Sequence, residues 1–290
     1  MDHETRGRVP PQFRYFDSLL DPSYLGDEDV ERLQYFGLSG ALFAEVGAVG
    51  EVQTAGDLIR TWDALCGKAS RFTAMLDASH APCVSLRVPL RNPPRRAHAS
   101  VWRELERRAL GSLAAIGPLE LPLHDRGEIR SLMRQIELAH GARVPLIVDI
   151  RDPRRGALSL DAVATLWHTL RPRAVDAPPL IVVVAAEGLD TITPVDGACI
   201  LAAVSSGVSE LRRATEAIHR ALARNVRVSI ASTAPSSVLD PALVLKLGLG
   251  LVDLGVDLAT LRAVLRSSVA AWFVGDAAVD PPERGHDTAI

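Results

Sequence analysis

Eight short apolar runs, rich in β-branched residues and separated by longer stretches of helical period, constrain this fold more tightly than any other feature. The runs are Arg14–Leu19, Ala41–Val46, Pro82–Val88, Ser112–Leu119, Pro145–Ile150, Pro179–Ala185, Ala198–Val204 and Val226–Ser232. Most are about 30 residues apart, the spacing of a βα unit. They are continuous rather than alternating, as in Leu180-Ile181-Val182-Val183-Val184, which suits a parallel sheet whose outer face is covered. The stretches between them carry helix signals. Asp27-Glu28-Asp29 places acids at the positive end of a helix, Val30, Leu33, Gln34 and Phe36 follow, and Gly37 stops it. Ile129, Leu132, Ile136 and Leu138-Ala139 mark a second helix closing near Gly141, and Leu211, Ala214, Ile218 and Leu222 a third. Eight such units predict a single-domain α/β fold, a (β/α)8 TIM barrel, in preference to a doubly wound sheet. With 290 residues, 48% of them hydrophobic, the chain can bury one large core; at 4% aromatic, Ala, Val and Leu must fill it. The barrel is expected over residues 13–275. A polar N-terminal arm, 1–12, and a tail, 276–290, are expected to be flexible.

Several function classes are disfavoured. A formal net charge of -3 argues against general nucleic-acid binding. No apolar run reaches the roughly 18 residues of a membrane span. The opening MDHETRGRVPPQ lacks the hydrophobic core of a signal peptide, so a cytoplasmic location is expected. Cys66, Cys83 and Cys199 have no paired spacing and apolar neighbours, which reads as buried free thiols in a reducing compartment. There is no Gly-x-Ser-x-Gly, no Walker loop and no zinc-like Cys/His spacing. Gly248-Leu249-Gly250-Leu251 lacks the third glycine of a dinucleotide loop, Asp253 standing in its place, and is read as a bend.

An ordered series of segments resembles the TatD-related branch of the amidohydrolase superfamily, and within it a subgroup from bacterial natural-product gene clusters. Phe16-Asp17, Asp27-Glu28-Asp29, Leu33 and Gly37 resemble its first strand and helix. Ala44-Glu45, Thr54-Ala55-Gly56 and Trp62-Asp63 resemble the second unit, and Ala115-Ile116-Gly117 the fourth strand. Ile136-Glu137-Leu138-Ala139, Val144-Pro145-Leu146-Ile147-Val148 and Arg151-Asp152 resemble helix four and strand five. Ser232-Thr233-Ala234, Asp240-Pro241, Gly255-Val256-Asp257 and Ala270-Ala271-Trp272-Phe273 complete the series. The resemblance implies a barrel hydrolase whose divalent metals, held by His and carboxylates at the strand mouths, acidify a water. It also implies where those ligands should be, and this chain departs from all of them. The strand-one histidine positions hold Leu19 and Asp21, the strand-four glutamate position Pro118, and the strand-five histidine position Asp149. The strand-six histidine falls near Ala186, and the strand-eight aspartate at Ala231 to Thr233. No His-x-His exists anywhere. The eight histidines, His3, His80, His98, His124, His140, His168, His219 and His286, fall mostly in helices, loops or termini, and only His124 follows a strand end.

The acids expected at strand C-termini are Asp17, Asp21, Glu45, Glu120, Asp149 and Glu187, with Arg87 and Arg151 nearby. Asp17, Glu45, Glu120 and Asp149 are the catalytic candidates, Asp21 and Asp149 the metal candidates, and Arg87, Arg151 and Glu187 the ligand-binding candidates. Glu120 lies two residues past Pro118, on the same face if the strand continues, so a shift of two lets it replace the missing glutamate. The connector Arg87 to Arg96 is expected to be a solvated basic loop, the alternative being an anion-binding lid. The leading expectation is a degenerate hydrolase homologue: a pseudoenzyme without cofactor that acts as a binding, scaffold or regulatory subunit in secondary metabolism. Its partner would be a small molecule or a protein, including an active paralogue. The alternative is a metal-dependent hydrolase with a rewired carboxylate site for Mg²⁺ or Mn²⁺, since oxygen ligands suit hard cations. A third reading is a homodimer built by outer apolar helices such as Leu243-Val244-Leu245.

Overall fold

The structure, a computed structural model, describes residues 9–10, 13–45, 52–76, 78, 80–90, 93–94, 99–150, 153–170, 178–191, 198–204, 208–232, 240–266 and 273. The element order is β1 (Tyr15–Leu20), α1 (Asp27–Tyr35), β2 (Leu38–Phe43), α2 (Ala55–Met75), β3 (Cys83–Leu86), α3 (Ala99–Gly111), β4 (Ala115–Glu120) and α4 (Arg126–Ala142). It continues with β5 (Leu146–Ile150), α5 (Pro153–Leu170), β6 (Leu180–Ala185), β7 (Ala198–Ala203), α6 (Val208–Ala223), β8 (Val228–Ala231), α7 (Leu243–Asp253) and α8 (Leu258–Arg266). All eight strands pair in parallel in sequence order, β1 to β8. The chain is therefore a single-domain (β/α)8 barrel, with a 3-10 helix, Ala186–Thr191, between β6 and β7. Among the described residues no helix is long and apolar enough to cross a membrane. Apart from Val9 and Pro10, the expected arm and tail lie outside the described residues.

Local chemistry sets the helix ends. In α1 the Asp29 carboxylate accepts from the Gly26 N–H at 2.9 Å, and Gly37, at φ +107°, turns the chain directly into β2. Thr54 and Asp57 form a reciprocal capping box at the start of α2. Asp125 caps α4 through the Gly127 and Glu128 N–H groups. The turn at Gly37 explains why β2 begins at Leu38, three residues before the expected start at Ala41. Ser39 and Gly40 are not strand formers by composition, but the turn has already extended the backbone there.

The strand side chains sort into two apolar layers. Tyr15, Phe43, Val84, Ile116, Val148, Val182, Ile200 and Ile230 face out and pack with helix residues such as Leu58, Leu105, Ile136 and Leu247. Leu42, Cys83, Ile147, Ile181, Val183, Cys199 and Leu201 face in and form a separate cluster filling the lumen. This alternation is the period of two expected of a strand; both faces are apolar because both are buried. At the N-terminal end the lumen is plugged by Phe16, which stacks on Phe273 at 6.3 Å between ring centroids and meets His80 at 5.9 Å. Cys83 and Cys199 are buried and Cys66 is half-buried, all three as free thiols.

The Gly248–Leu251 segment is helix, not bend. It lies within α7, where a Cβ at Gly248 would sit 3.2 Å from the Phe13 ring and one at Gly250 3.0 Å from Thr215. These glycines let α7 approach its neighbours closely. Leu243 and Val244 are buried in the core, whereas Leu249, Val252, Leu254 and Leu258 are exposed.

The sheet meets one strict steric requirement at Gly117 in β4. It has φ +134°, and a Cβ there would lie 2.4 Å from the Ile147 carbonyl oxygen on β5. Both the left-handed backbone and the strand contact oppose any side chain. Gly117→Ala should lose at least about 3 kcal/mol of unfolding free energy in urea titration. A loss below about 1 kcal/mol would contradict this account.

Candidate functional site at the barrel mouth

No backbone ladder joins β8 to β1 among the described residues. A side chain bridges the seam instead. Asp17, in the middle of β1, accepts from the Ser232 N–H at 3.1 Å, from the Ser232 hydroxyl, and from the Leu19 N–H at 3.0 Å. Outside, α8 packs over both strands, and Arg266 donates to the Arg14 carbonyl at 3.2 Å. Asp17 thus lies within the seam rather than at the strand end expected of a mouth acid. Ser232, noted only as part of a family-like segment, is its partner. Burial pushes the Asp17 carboxyl up to about 6, against the lowering effect of its three hydrogen bonds.

Above the apolar lumen, the strand ends carry charge. Cys83, Ser85 and Arg87 follow one another at the inward period of β3; the Ser85 hydroxyl lies 2.8 Å from the Gly117 carbonyl oxygen. Arg87 was expected to open a solvated basic loop, but it is only 7% exposed. Its guanidinium donates to the Pro118 carbonyl and lies 3.7 Å from the Glu120 carboxylate. The next residue is held from outside the barrel: Gln135 of α4, fully buried, donates to the Val88 carbonyl at 2.9 Å and accepts from the Val88 N–H at 3.0 Å. The amide acts as a strand neighbour would, and fixes the direction in which Arg87 leaves β3. Nothing in the sequence pattern marks Gln135, because the buried face of its helix also carries the polar Glu128, Ser131 and His140. Residues 91–92 and 95–96 of the basic connector lie outside the described residues.

The acids divide by location. β4 continues through Glu120, which sits in register with Asp149 of β5, so the two carboxylates share one face of adjacent strands. Asp149 is buried and Glu120 is partly exposed. Asp21, buried just beyond β1, accepts from the Ser23 N–H at 2.8 Å and caps a short 3-10 turn. Glu45 is half-buried beyond β2. Burial first, then the Asp21 carboxylate, raises its pKa, and Arg87 pulls it back. Those influences place Asp21, Glu45 and Arg87 in one electrostatic neighbourhood. Glu187 is exposed on the 3-10 helix after β6, and Arg151 lies outside the described residues. His124 is exposed, and its backbone N–H donates to Glu128. His140 is buried against Trp167, with ring centroids 4.0 Å apart.

Of the implied ligand positions, two hold carboxylates, Asp21 and Asp149, and three hold side chains without a ligand atom, Leu19, Pro118 and Ala186. Leu19 and Ala231 are fully buried in the apolar lumen cluster, and Ala186 is fully buried in the outer core. Pro118 offers only its carbonyl, which already accepts from Arg87. Among the described residues no three His, Cys, Asp or Glu side chains converge as a metal-binding group.

Fold and site define a (β/α)8 barrel with a hydrocarbon lumen and a mixed-charge mouth. Among solved structures the chain is similar to the crystal structure of a TatD-like protein from Archaeoglobus fulgidus. The TM-score is 0.63 at 20% sequence identity, over 89% of this chain and 99% of that one. The likeness is one of fold. No protein-family model matches the chain, and no curated protein matches its sequence.

The seam carboxylate predicts a pH dependence. Its folded pKa is raised above the ordinary value of 3.8, so its protonated form favours folding; that contribution is full below about pH 4 and is lost as pH rises to about 6. Asn at this position keeps an acceptor for both backbone N–H groups, and its amide can donate to the Ser232 oxygen. Asp17→Asn should therefore match wild type near pH 4 and become more stable than it by about 2–3 kcal/mol at pH 7.5, by urea denaturation at each pH. A difference that does not change with pH would show that Asp17 titrates normally.

Proposed function

We propose that this chain is a degenerate member of the TatD-related hydrolases, a pseudoenzyme acting as a binding, scaffold or regulatory subunit. The observation that carries this reading is the hydrocarbon at Leu19, and at Ala231 where the strand-eight position, Ala231 to Thr233, begins. Where the family resemblance calls for metal ligands, these side chains are sealed in the apolar lumen cluster, an environment that neither holds a cation nor admits its water. The barrel shared with a TatD-like protein supports the kinship of scaffold. A cytoplasmic setting in secondary metabolism and pairing with an active paralogue or a second copy belong to the same proposal.

One observation favours a second reading. Glu120 and Asp149 lie in register on adjacent strands at the mouth, a pair of oxygen donors of the kind Mg²⁺ or Mn²⁺ takes. Elemental analysis after dialysis against Mn²⁺, Zn²⁺ and Mg²⁺, with bis-p-nitrophenyl phosphate hydrolysis, separates the two. The first reading expects substoichiometric metal and no metal-dependent turnover. Stoichiometric metal with turnover, both abolished in a folded Asp149→Asn protein, would replace it with the second.

A further inference from the structure

We propose that Arg87 is a built-in cation that occupies the barrel mouth in place of a divalent metal and holds its carboxylates together. This rests on the pseudoenzyme reading and names the device that makes the mouth metal-free.

Four observations converge on it. Arg87 continues the inward-facing period of β3 directly above the apolar lumen, so its side chain enters the mouth from the wall. It is 7% exposed, a degree of burial that charged side chains reach only when paired. Its partners include oxygens of the neighbouring strand: the Pro118 carbonyl and, 3.7 Å away, the Glu120 carboxylate. Finally, the Gln135 clamp on Val88 holds the backbone just beyond it, so the guanidinium is fixed rather than swinging in solvent.

The electrostatic consequence follows from charge and distance. Glu120 lies beside the guanidinium with Asp149 in register next to it, Glu45 feels both Arg87 and Asp21, and Asp21 and Asp149 are buried. Uncompensated, such a set is strongly repulsive. A divalent ion relieves it by direct coordination in other carboxylate sites. Here a guanidinium does so, with directional donors and a charge that stays on at every ordinary pH. A metal approaching the same oxygens would meet this fixed positive charge, so the two cations exclude each other. Unlike a metal, this one can be neither chelated nor exchanged.

The test uses the full-length chain, stripped with EDTA, and Mn²⁺ alone as probe. Arg87→Met keeps the length of the stem and removes the charge. Wild type and Arg87→Lys are expected to keep the same Tm with and without millimolar Mn²⁺ and to bind none by titration calorimetry. Arg87→Met is expected to melt about 10 °C lower, to bind one Mn²⁺ and to recover most of that loss. Should Arg87→Met fail to fold, the triple variant with Glu45→Gln and Glu120→Gln is expected to fold and to ignore Mn²⁺. A folded Arg87→Met protein that binds no Mn²⁺ overturns the inference, as does a triple variant that also fails to fold, because Arg87 would then be packing rather than charge. Metal-dependent hydrolysis by wild type would instead remove the reading beneath it, so the two failures are distinguishable.

Discussion

The seam between β8 and β1 is held by the Asp17 side chain, and the rest of the barrel depends on the hydrogen bonds it makes across it. A parallel sheet of eight strands has two edges, and among the described residues no backbone ladder joins them here. An open edge presents unpaired N–H and C=O groups, and on the inner side it would expose the lumen to water. Asp17 answers both needs by taking the Ser232 N–H and hydroxyl together. The residue is wholly buried, and the desolvation is large enough to outweigh its three hydrogen bonds in setting its protonation. The outer cover, α8 with Leu261, Val264 and Leu265 buried, then lies on a seam already drawn shut from within.

Closure creates two ends of unlike character. At the N-terminal end aromatic rings from Phe16 and Phe273 stopper the lumen, continuous with Leu42, Ile147, Ile181 and Leu201 above them. At the C-terminal end, where barrels of this class carry their chemistry, the strands finish in Arg87, Glu120 and Asp149 on one side. On the other they finish in small residues, Ala203 and Ala231. The charged half is cross-braced by the Pro118 carbonyl, the Glu120 ion pair and the Gln135 amide. The unlike halves explain how a (β/α)8 scaffold can carry a mouth that, among the described residues, is charged on one side without collapsing into hydrocarbon on the other.

Much of the fold was legible because its signals are local. Each of the eight apolar runs became a strand, and the acid cluster at Asp27 and the stop at Gly37 became real helix ends. Reading failed where distant residues decide. The glycines of Gly248–Leu251 resemble a bend until Phe13 and Thr215, far away in sequence, show why a helix there must be narrow. Arg87 opens a run of Pro and Arg that composition assigns to solvent, yet the inward period of β3 and a glutamine on α4 turn it inward. Asp17 resembled a mouth acid because the stagger that brings Ser232 alongside it is a property of the closed barrel, not of β1. The mouth acids themselves were visible from strand ends alone; that Glu120 falls in register with Asp149 was not, because register depends on the neighbouring strand.

The contacts that seal the barrel link the two extremities of the chain. Asp17 meets a residue 215 positions away, and Cys83 and Phe16 meet Phe273. During synthesis β1 meets β2 early, but it leaves the ribosome long before its seam partner Ser232 exists, so an apolar lumen wall must wait, half-built, for the last segment. Ring closure over so long a span carries an entropic cost that only a nearly complete sheet can offset. The polypeptide therefore has a vulnerable interval set by its own length. Truncation near the end would leave a sheet with its strands in order and no means of becoming a ring.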